Sequence, residues 1–324
     1  MILSGVTVYF PRIMYLLKEN NRRKPKVDRI EVATRLKSNP SKMAAEIHYT
    51  PPGQVTTALL LAAGTGSRLR PLTLDAPKCL TEVGGTPILG RLVDNLRSQR
   101  ISRLVVVTGY LDHCIREFLQ EYAPDMHVEY IFNPAYQTTN NIYSLWLARQ
   151  AIQEHFVLIE SDLVFHASML NDMLTPDKIA ISQLLPWMNG ATVELNNQNG
   201  VAAFHTKCDT ANSPNYKTVN IYSLSLQSWQ KVIARLELCI ADEYLGDYYE
   251  AVFSDMVSDG TLAFDAVFFD KNQWYEIDTV ADLHQAELLF PCPPRGIAVD
   301  LRLKPRHGLH NSISDTDSSE AIAV

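Results

Sequence analysis

Several stretches of this 324-residue chain carry residue types and spacings suited to handling phosphate. The first is Leu61-Ala62-Ala63-Gly64-Thr65-Gly66-Ser67-Arg68-Leu69-Arg70-Pro71-Leu72-Thr73, followed by Pro77-Lys78. Gly64 and Gly66 have no Cβ, so the backbone can turn tightly and line up successive N–H groups around an anion. Arg68 and Lys78 add two cations to that loop. The spacing excludes two other phosphate loops. A dinucleotide fingerprint needs a third glycine where Leu69 stands. A P-loop needs Gly-Lys-Ser/Thr after four spacer residues, and the chain has none. Acidic counterparts lie far downstream, in Glu160-Ser161-Asp162 and in Tyr275-Glu276-Ile277-Asp278-Thr279. Mg²⁺ takes hard oxygen ligands, commonly one or two carboxylates plus substrate phosphates. Asp162 and Asp278 supply such a pair, although Asp278 is equally placed to cap the helix expected from Val280. No Ser-His-Asp or Cys-His constellation stands out, and His155 and His166 read as structural or surface residues.

These residues need elements to present them. Thr57–Ala63, Leu104–Thr108, Val128–Phe132 and Phe156–Glu160 are short apolar runs, as expected of strands covered on both faces. Between them lie helical patterns over Pro87–Arg100, Asp112–Tyr122 and Asn141–Gln153. That alternation predicts an α/β fold: a Rossmann-like, mostly parallel sheet with helices on both faces. Both carboxylate stretches then fall at carboxyl ends of strands, where such sheets bind ligands. Beyond about residue 178 the pattern becomes strand-rich (200–206, 218–226), with helices over Gln227–Ala241 and Asp247–Asp259. Strands over Ala266–Phe269 and Trp274–Ile277 and a helix over Val280–Phe290 close the series.

Residues 1–42 hold 10 of the 29 Lys/Arg and 3 of the 36 Asp/Glu, a net +7 that leaves −14 for the rest. A body that acidic is no partner for nucleic acid, whose phosphates demand a basic surface. No apolar run approaches the roughly 20 residues needed to span a bilayer. The apolar stretch 1–17 is broken by Pro11 and Arg12 and followed by its charge, the reverse of a signal peptide. Five scattered cysteines without C-x-x-C spacing suggest neither a disulfide framework nor a zinc site, so a cytoplasmic location is expected. The expected organisation is a poorly ordered basic extension (1–55), one catalytic domain (56–290) and a polar disordered tail (291–324).

The loop Leu61–Arg68 with Pro77-Lys78 resembles the signature L-A-A-G-x-G-[ST]-R followed by P-K, found in nucleotidyltransferases that activate sugar phosphates and phosphocholine. The resemblance implies a nucleotide-diphospho-sugar transferase-like fold with a strand-rich acceptor-binding part. It implies a nucleotide cradle of Ala62, Ala63, Gly64, Gly66 and Ser67, with Arg68 holding the leaving pyrophosphate and Lys78 the phosphates near the reacting centre. Asp162 and Asp278 match the family's Mg²⁺ ligands. Thr138–Leu145 and Tyr216–Tyr222 resemble the branch acting on phosphocholine or 2-aminoethylphosphonate with CTP, in outline over residues 56–290. By that likeness Asn141 and Ser144 lie near base or ribose, and Tyr216 and Lys217 meet the acceptor. Helix capping by Asn140-Asn141 and a solvated edge-strand Lys217 are the plainer alternatives. For the acceptor's cationic end, Trp187, Tyr216, Tyr248, Tyr249 and Trp274 could form a cage, or Glu194 and Asp247 could pair with a primary ammonium. The expected reaction joins CMP from CTP to a phosphonate or phosphate oxygen and releases pyrophosphate. A sugar-1-phosphate enzyme using UTP or dTTP, and an inactive nucleotide-binding domain, are the alternatives; homodimerisation stays open.

Overall fold

Six consecutive buried residues make Thr57–Ala62 (β1) a strand that must be covered on both faces. In the computed structural model, which describes residues 53–206 and 216–292, it is so covered. The chain continues through a small hairpin, β2 (Glu82–Val83) and β3 (Thr86–Pro87), then α1 (Ile88–Ser98), β4 (Arg103–Thr108) and α2 (Asp112–Tyr122). β5 (His127–Phe132), α3 (Asn141–Leu147) and β6 (Phe156–Glu160) complete this half. Strands β5, β4, β1 and β6 lie side by side, all parallel. Side chains alternate along β1: Ala58, Leu60 and Ala62 pack with Leu89, Leu92 and Leu96 of α1 and Ile115 and Leu119 of α2. Leu59 and Leu61 face the opposite core, with Ile142 and Leu145 of α3. Helices therefore cover both faces, as the sequence pattern predicts.

The second half is strand-rich, again as expected. It comprises β7 (Leu163–Phe165), β8 (Lys178–Gln183), β9 (Thr192–Leu195), β10 (Val201–His205) and β11 (Tyr216–Leu224). Then come α4 (Leu226–Ala241), α5 (Tyr249–Ser258), β12 (Asp265–Phe268), β13 (Trp274–Glu276) and α6 (Val280–Leu289). Strand β11 runs antiparallel to β6 and joins the halves into one nine-stranded sheet, pairing also with β8 and β9. Lys217, on β11, thus lies between two strands, opposite Ser182 and Thr192, and the edge-strand reading of this lysine is overturned. Helices α4 and α5 cover β11 through Trp229, Val232, Tyr249 and Phe253, packed around Tyr222.

Boundaries shift modestly. Pro87 caps α1 rather than occupying its first turn, and α3 gives way at Ala148 to a 3₁₀ turn through Gln150. The expected basic extension and polar tail lie outside the described residues, apart from residues 53–55 and 291–292. Among the described residues no helix is long and apolar enough to cross a membrane.

Candidate active site

The glycine loop leaves the end of β1. Gly66 sits at φ +59° and opens a 3₁₀ turn over Ser67–Leu69, whose Leu69 is fully buried. A Cβ on Gly66 would lie 2.9 Å from Lys78 Cβ and 3.2 Å from Thr73 Cγ2, so only glycine lets Lys78 approach the loop this closely. Thr73 Oγ1 donates to Gly66 O at 2.8 Å, and Tyr110 Oη donates to Thr73 O and Leu74 O, fixing the loop's outer arm. Lys78 begins its own 3₁₀ turn, held by the buried Cys79.

The two acidic stretches are brought together by β7 and β13. These short strands pair antiparallel, with Glu276 opposite Leu163, and Ile277 N donates to Asp162 O at 3.0 Å. Residues more than a hundred positions apart thereby present their carboxylates to one ammonium. Lys78 Nζ donates to Asp162 Oδ2 at 2.9 Å and to Asp278 Oδ1 at 2.7 Å. Arg68 Nη2 reaches the same Asp278 oxygen at 2.7 Å. Burial works against the charge on Lys78, but attraction to Asp162 and Asp278 outweighs it and holds its pKa above the ordinary lysine range. Asp278 is not the cap of α6: Thr279 is, in a capping box with Asp282. The Asp278 side chain is left free to face the site.

A cavity of about 310 Å³ opens over this cluster, lined by Ala63, Gly64, Gly66, Ser67, Arg68 and Lys78 from the loop side. Asn141, Ser144, Asp162 and Asp278 line it elsewhere. A second cavity, of about 200 Å³, shares Arg68, Glu276 and Asp278 with the first and adds Trp187, Lys217 and Trp274. Lys217 is only 2% exposed; its Nζ donates to Thr218 O at 2.7 Å and lies 3.3 Å from Glu276 Oε2. It is a buried, paired cation and not a solvated one.

Other expectations need correction. Ala62 lines neither cavity, since it is the last residue of β1 and its side chain enters the core beneath α1 and α2. Tyr216 lines neither, because its ring packs edge-on against Phe268 at 5.4 Å. Asn140, not Asn141, caps α3. Both polar atoms of the Asn141 side chain are already committed: Nδ2 donates to Glu160 Oε1 at 3.2 Å, and Oδ1 accepts from Tyr249 N at 3.0 Å. Ser144 is buried, its Oγ accepting from Asn133 Nδ2. Of the cage candidates, Trp187, Trp274 and Tyr248 line the cavities, whereas Tyr249 is a core residue. Glu194 pairs with His205 and, like Asp247, lines neither cavity.

The sequence alone does not single out Glu160, Glu250, Glu276 or Asn220, yet all four line the first cavity. Glu160 and Glu276 each stand two residues before a candidate metal aspartate, a period-two signal that was available. Asn220 reaches the cavity from an irregularity in β11, where its φ of +59° interrupts the register with β8. Glu250 gives no signal, because an acidic residue in a first helical turn is ordinarily solvated. Burial pushes Glu250 up to about 7 and leaves its Oε2 without a partner. Burial, then the charges of Asp162 and Glu250, raise Glu160; burial also raises Glu276 against the pull of Lys217.

The donor set suits a hard divalent cation. Asp162 and Asp278 offer carboxylate oxygens only, and Asp162 Oδ1 is buried with no hydrogen-bond partner. No cluster of three or more His, Cys, Asp or Glu suited to a metal occurs among the described residues. Two carboxylates completed by substrate oxygens is the habit of Mg²⁺.

Residues 58–181 match the MobA-like NTP transferase domain. The chain is 29% identical over 257 residues to the CMP-5'-(3-aminopropyl)phosphonate synthase of Streptomyces rubellomurinus, covering 76% of this chain and 40% of that one. It is 31% identical over 116 residues to the choline-phosphate cytidylyltransferase of Streptococcus pneumoniae, covering 36% of this chain and 49% of that one. The chain thus spans less than half the length of either relative. The solved CTP:phosphocholine cytidylyltransferase of Streptococcus pneumoniae shares the fold, with a TM-score of 0.63 at 22% identity over 73% of this chain and 99% of that one.

Proposed function

We propose that the protein is a Mg²⁺-dependent cytidylyltransferase that transfers CMP from CTP to a small aminoalkylphosphonate or related phosphate, releasing pyrophosphate. The observation that carries this reading is the meeting of Asp162 and Asp278 on Lys78 in the first cavity, with Asp278 also lining the second. One cavity has the glycine loop and suits a triphosphate; the other has Lys217 and suits an acceptor anion. Similarity to enzymes whose names specify a CMP-phosphonate and choline phosphate supports the base and the acceptor class.

An acceptor oxygen attacks the α-phosphorus of CTP, its new P–O bond forming as the bond to the β-phosphate oxygen breaks. Phosphonate and phosphate oxygens are anions near neutral pH, so the nucleophile needs no general base. The chain contributes positioning and charge neutralisation. Backbone N–H groups of Gly64–Ser67 cradle the phosphates, Arg68 offsets charge on the departing pyrophosphate, and Lys217 orients the acceptor anion. Lys78 counters repulsion between the two anionic reactants. Mg²⁺, held by Asp162 and Asp278, supplies Lewis-acid stabilisation of the phosphate oxygens when bound.

For the acceptor's far end, the carboxylate of Glu276 on the second cavity favours a primary ammonium over a quaternary one. Burial disfavours its charge, and Lys217 offsets that only in part. An N–H-bearing cation would satisfy it by hydrogen bonds as well as charge. With Tyr216 packed against Phe268 and Tyr249 buried in the core, two of the five cage candidates are lost.

The test is pyrophosphate release from CTP, UTP, dTTP and GTP against 2-aminoethylphosphonate, phosphocholine and glucose-1-phosphate. CTP with 2-aminoethylphosphonate is the pair expected to turn over fastest. Preference for glucose-1-phosphate with UTP or dTTP sinks the acceptor reading, and binding without any release sinks the enzyme reading. Asp162→Ala is expected to reduce turnover by about a hundredfold or more with the fold intact.

A further inference from the structure

Lys78 occupies a position that the transfer reaction alone does not demand. Its ammonium bridges the two carboxylates assigned above to the divalent cation, 2.9 Å from Asp162 Oδ2 and 2.7 Å from Asp278 Oδ1. Two carboxylates brought to one point repel each other unless a cation lies between them. We propose that Lys78 is a built-in stand-in for that cation: it holds both carboxylates in the ligand-free enzyme and must release them before a divalent ion can bind.

This inference rests on the metal reading of Asp162 and Asp278. Three features support exchange rather than a permanent ion pair. Asp162 Oδ1 has no partner, so the ammonium satisfies this pair only in part and leaves coordination capacity over. Asp278 Oδ1 is shared between Lys78 and Arg68, two cations that both come from the glycine-loop segment and both line the first cavity. The Lys78 backbone is fixed by its 3₁₀ turn and by close approach to Gly66, so exchange requires only rotation of a flexible side chain. That side chain borders the same cavity as the backbone of Gly64–Ser67. A triphosphate seated there offers the ammonium new anionic partners at the moment a cation claims the old ones. Nucleotide and divalent ion therefore bind with positive coupling, each favouring the lysine position that the other requires. A divalent ion alone must compete with a covalently tethered rival.

The experiment is titration of the purified chain with Mn²⁺ without nucleotide, read by the electron paramagnetic resonance of free Mn²⁺. Lys78→Met and Lys78→Gln, each checked for native circular dichroism, are expected to bind Mn²⁺ at least tenfold more tightly than the native chain. Adding Asp162→Asn to either should abolish the gain. Lys78→Arg keeps a cation in place and should stay within about threefold of the native affinity. Equal or weaker Mn²⁺ binding in the neutral variants overturns the stand-in role, as does a gain in Lys78→Arg as large as in Lys78→Met. The metal reading is judged separately, by Mn²⁺ binding in the presence of CTP. If Asp162→Asn leaves that binding unchanged, Asp162 is no ligand, and both the reading and the inference built on it fail.

Discussion

At the residue scale, burial separates groups that type and spacing leave equivalent. Asp162, Asp278 and the loop cations were legible because signature spacing names them without reference to depth. Glu250 was not, because nothing local distinguishes a buried first-turn glutamate from a solvated one. Its elevated pKa makes a testable statement about stability. Between its ordinary value of 4.5 and its folded value of about 7, the unfolded chain has released this proton and the folded chain retains it. Stability contributed by the neutral carboxyl is thus complete below pH 4.5, falls as pH rises towards 7, and is flat above. Glu250→Gln removes that loss and is expected to stabilise the protein at pH 8 by on the order of 3 kcal/mol, with little effect at pH 4. Urea unfolding at the two pH values checks it; equal shifts at both would contradict the assignment. Gly66→Ala is expected to combine strain at positive φ with displacement of Lys78. Its cost is about 1–3 kcal/mol, accompanied by a fall in turnover larger than any fall in nucleotide binding.

At the element scale, the parallel half was legible and the antiparallel half only in outline. Strands β1, β4 and β6 are buried on both faces and appear as uninterrupted apolar runs. In the second half, β9 and β10 are short and partly exposed, and β11 is broken by Asn220, so their pattern is diluted. The pairing of β7 with β13 could not be read at all, since each contributes only three residues. Yet that pairing carries Asp162 towards Asp278. Helix α6 secures the far side through its capping box, in which Asp282 Oδ2 also accepts from Asp278 N at 3.2 Å. Thr279→Ala is expected to lower stability by about 1 kcal/mol in urea unfolding. It should also raise the Mg²⁺ concentration needed for half-maximal turnover, because the cap holds the backbone of Asp278. An unchanged Mg²⁺ requirement would mean that β13 alone fixes this aspartate.

At the scale of the whole molecule, the nine strands depend on the junction of β6 with β11, where the two halves meet antiparallel. Leu158 sits there, fully buried, between Leu59 of β1 and Tyr222 of β11. Leu158→Ala is expected to cost about 2–5 kcal/mol in a single unfolding transition. Two separate transitions would show instead that the halves fold independently. The cavities divide along related lines. The first draws on the glycine loop, α3 and the end of β6, and the second on β11, β13 and the residues around Trp187. Only Arg68, Glu276 and Asp278 belong to both. Because so small a partition separates the compartments, a graft confined to residues 184–190 could retune one guest while the other keeps its lodging. Chimeras among relatives of this fold then become a practical route to new pairings.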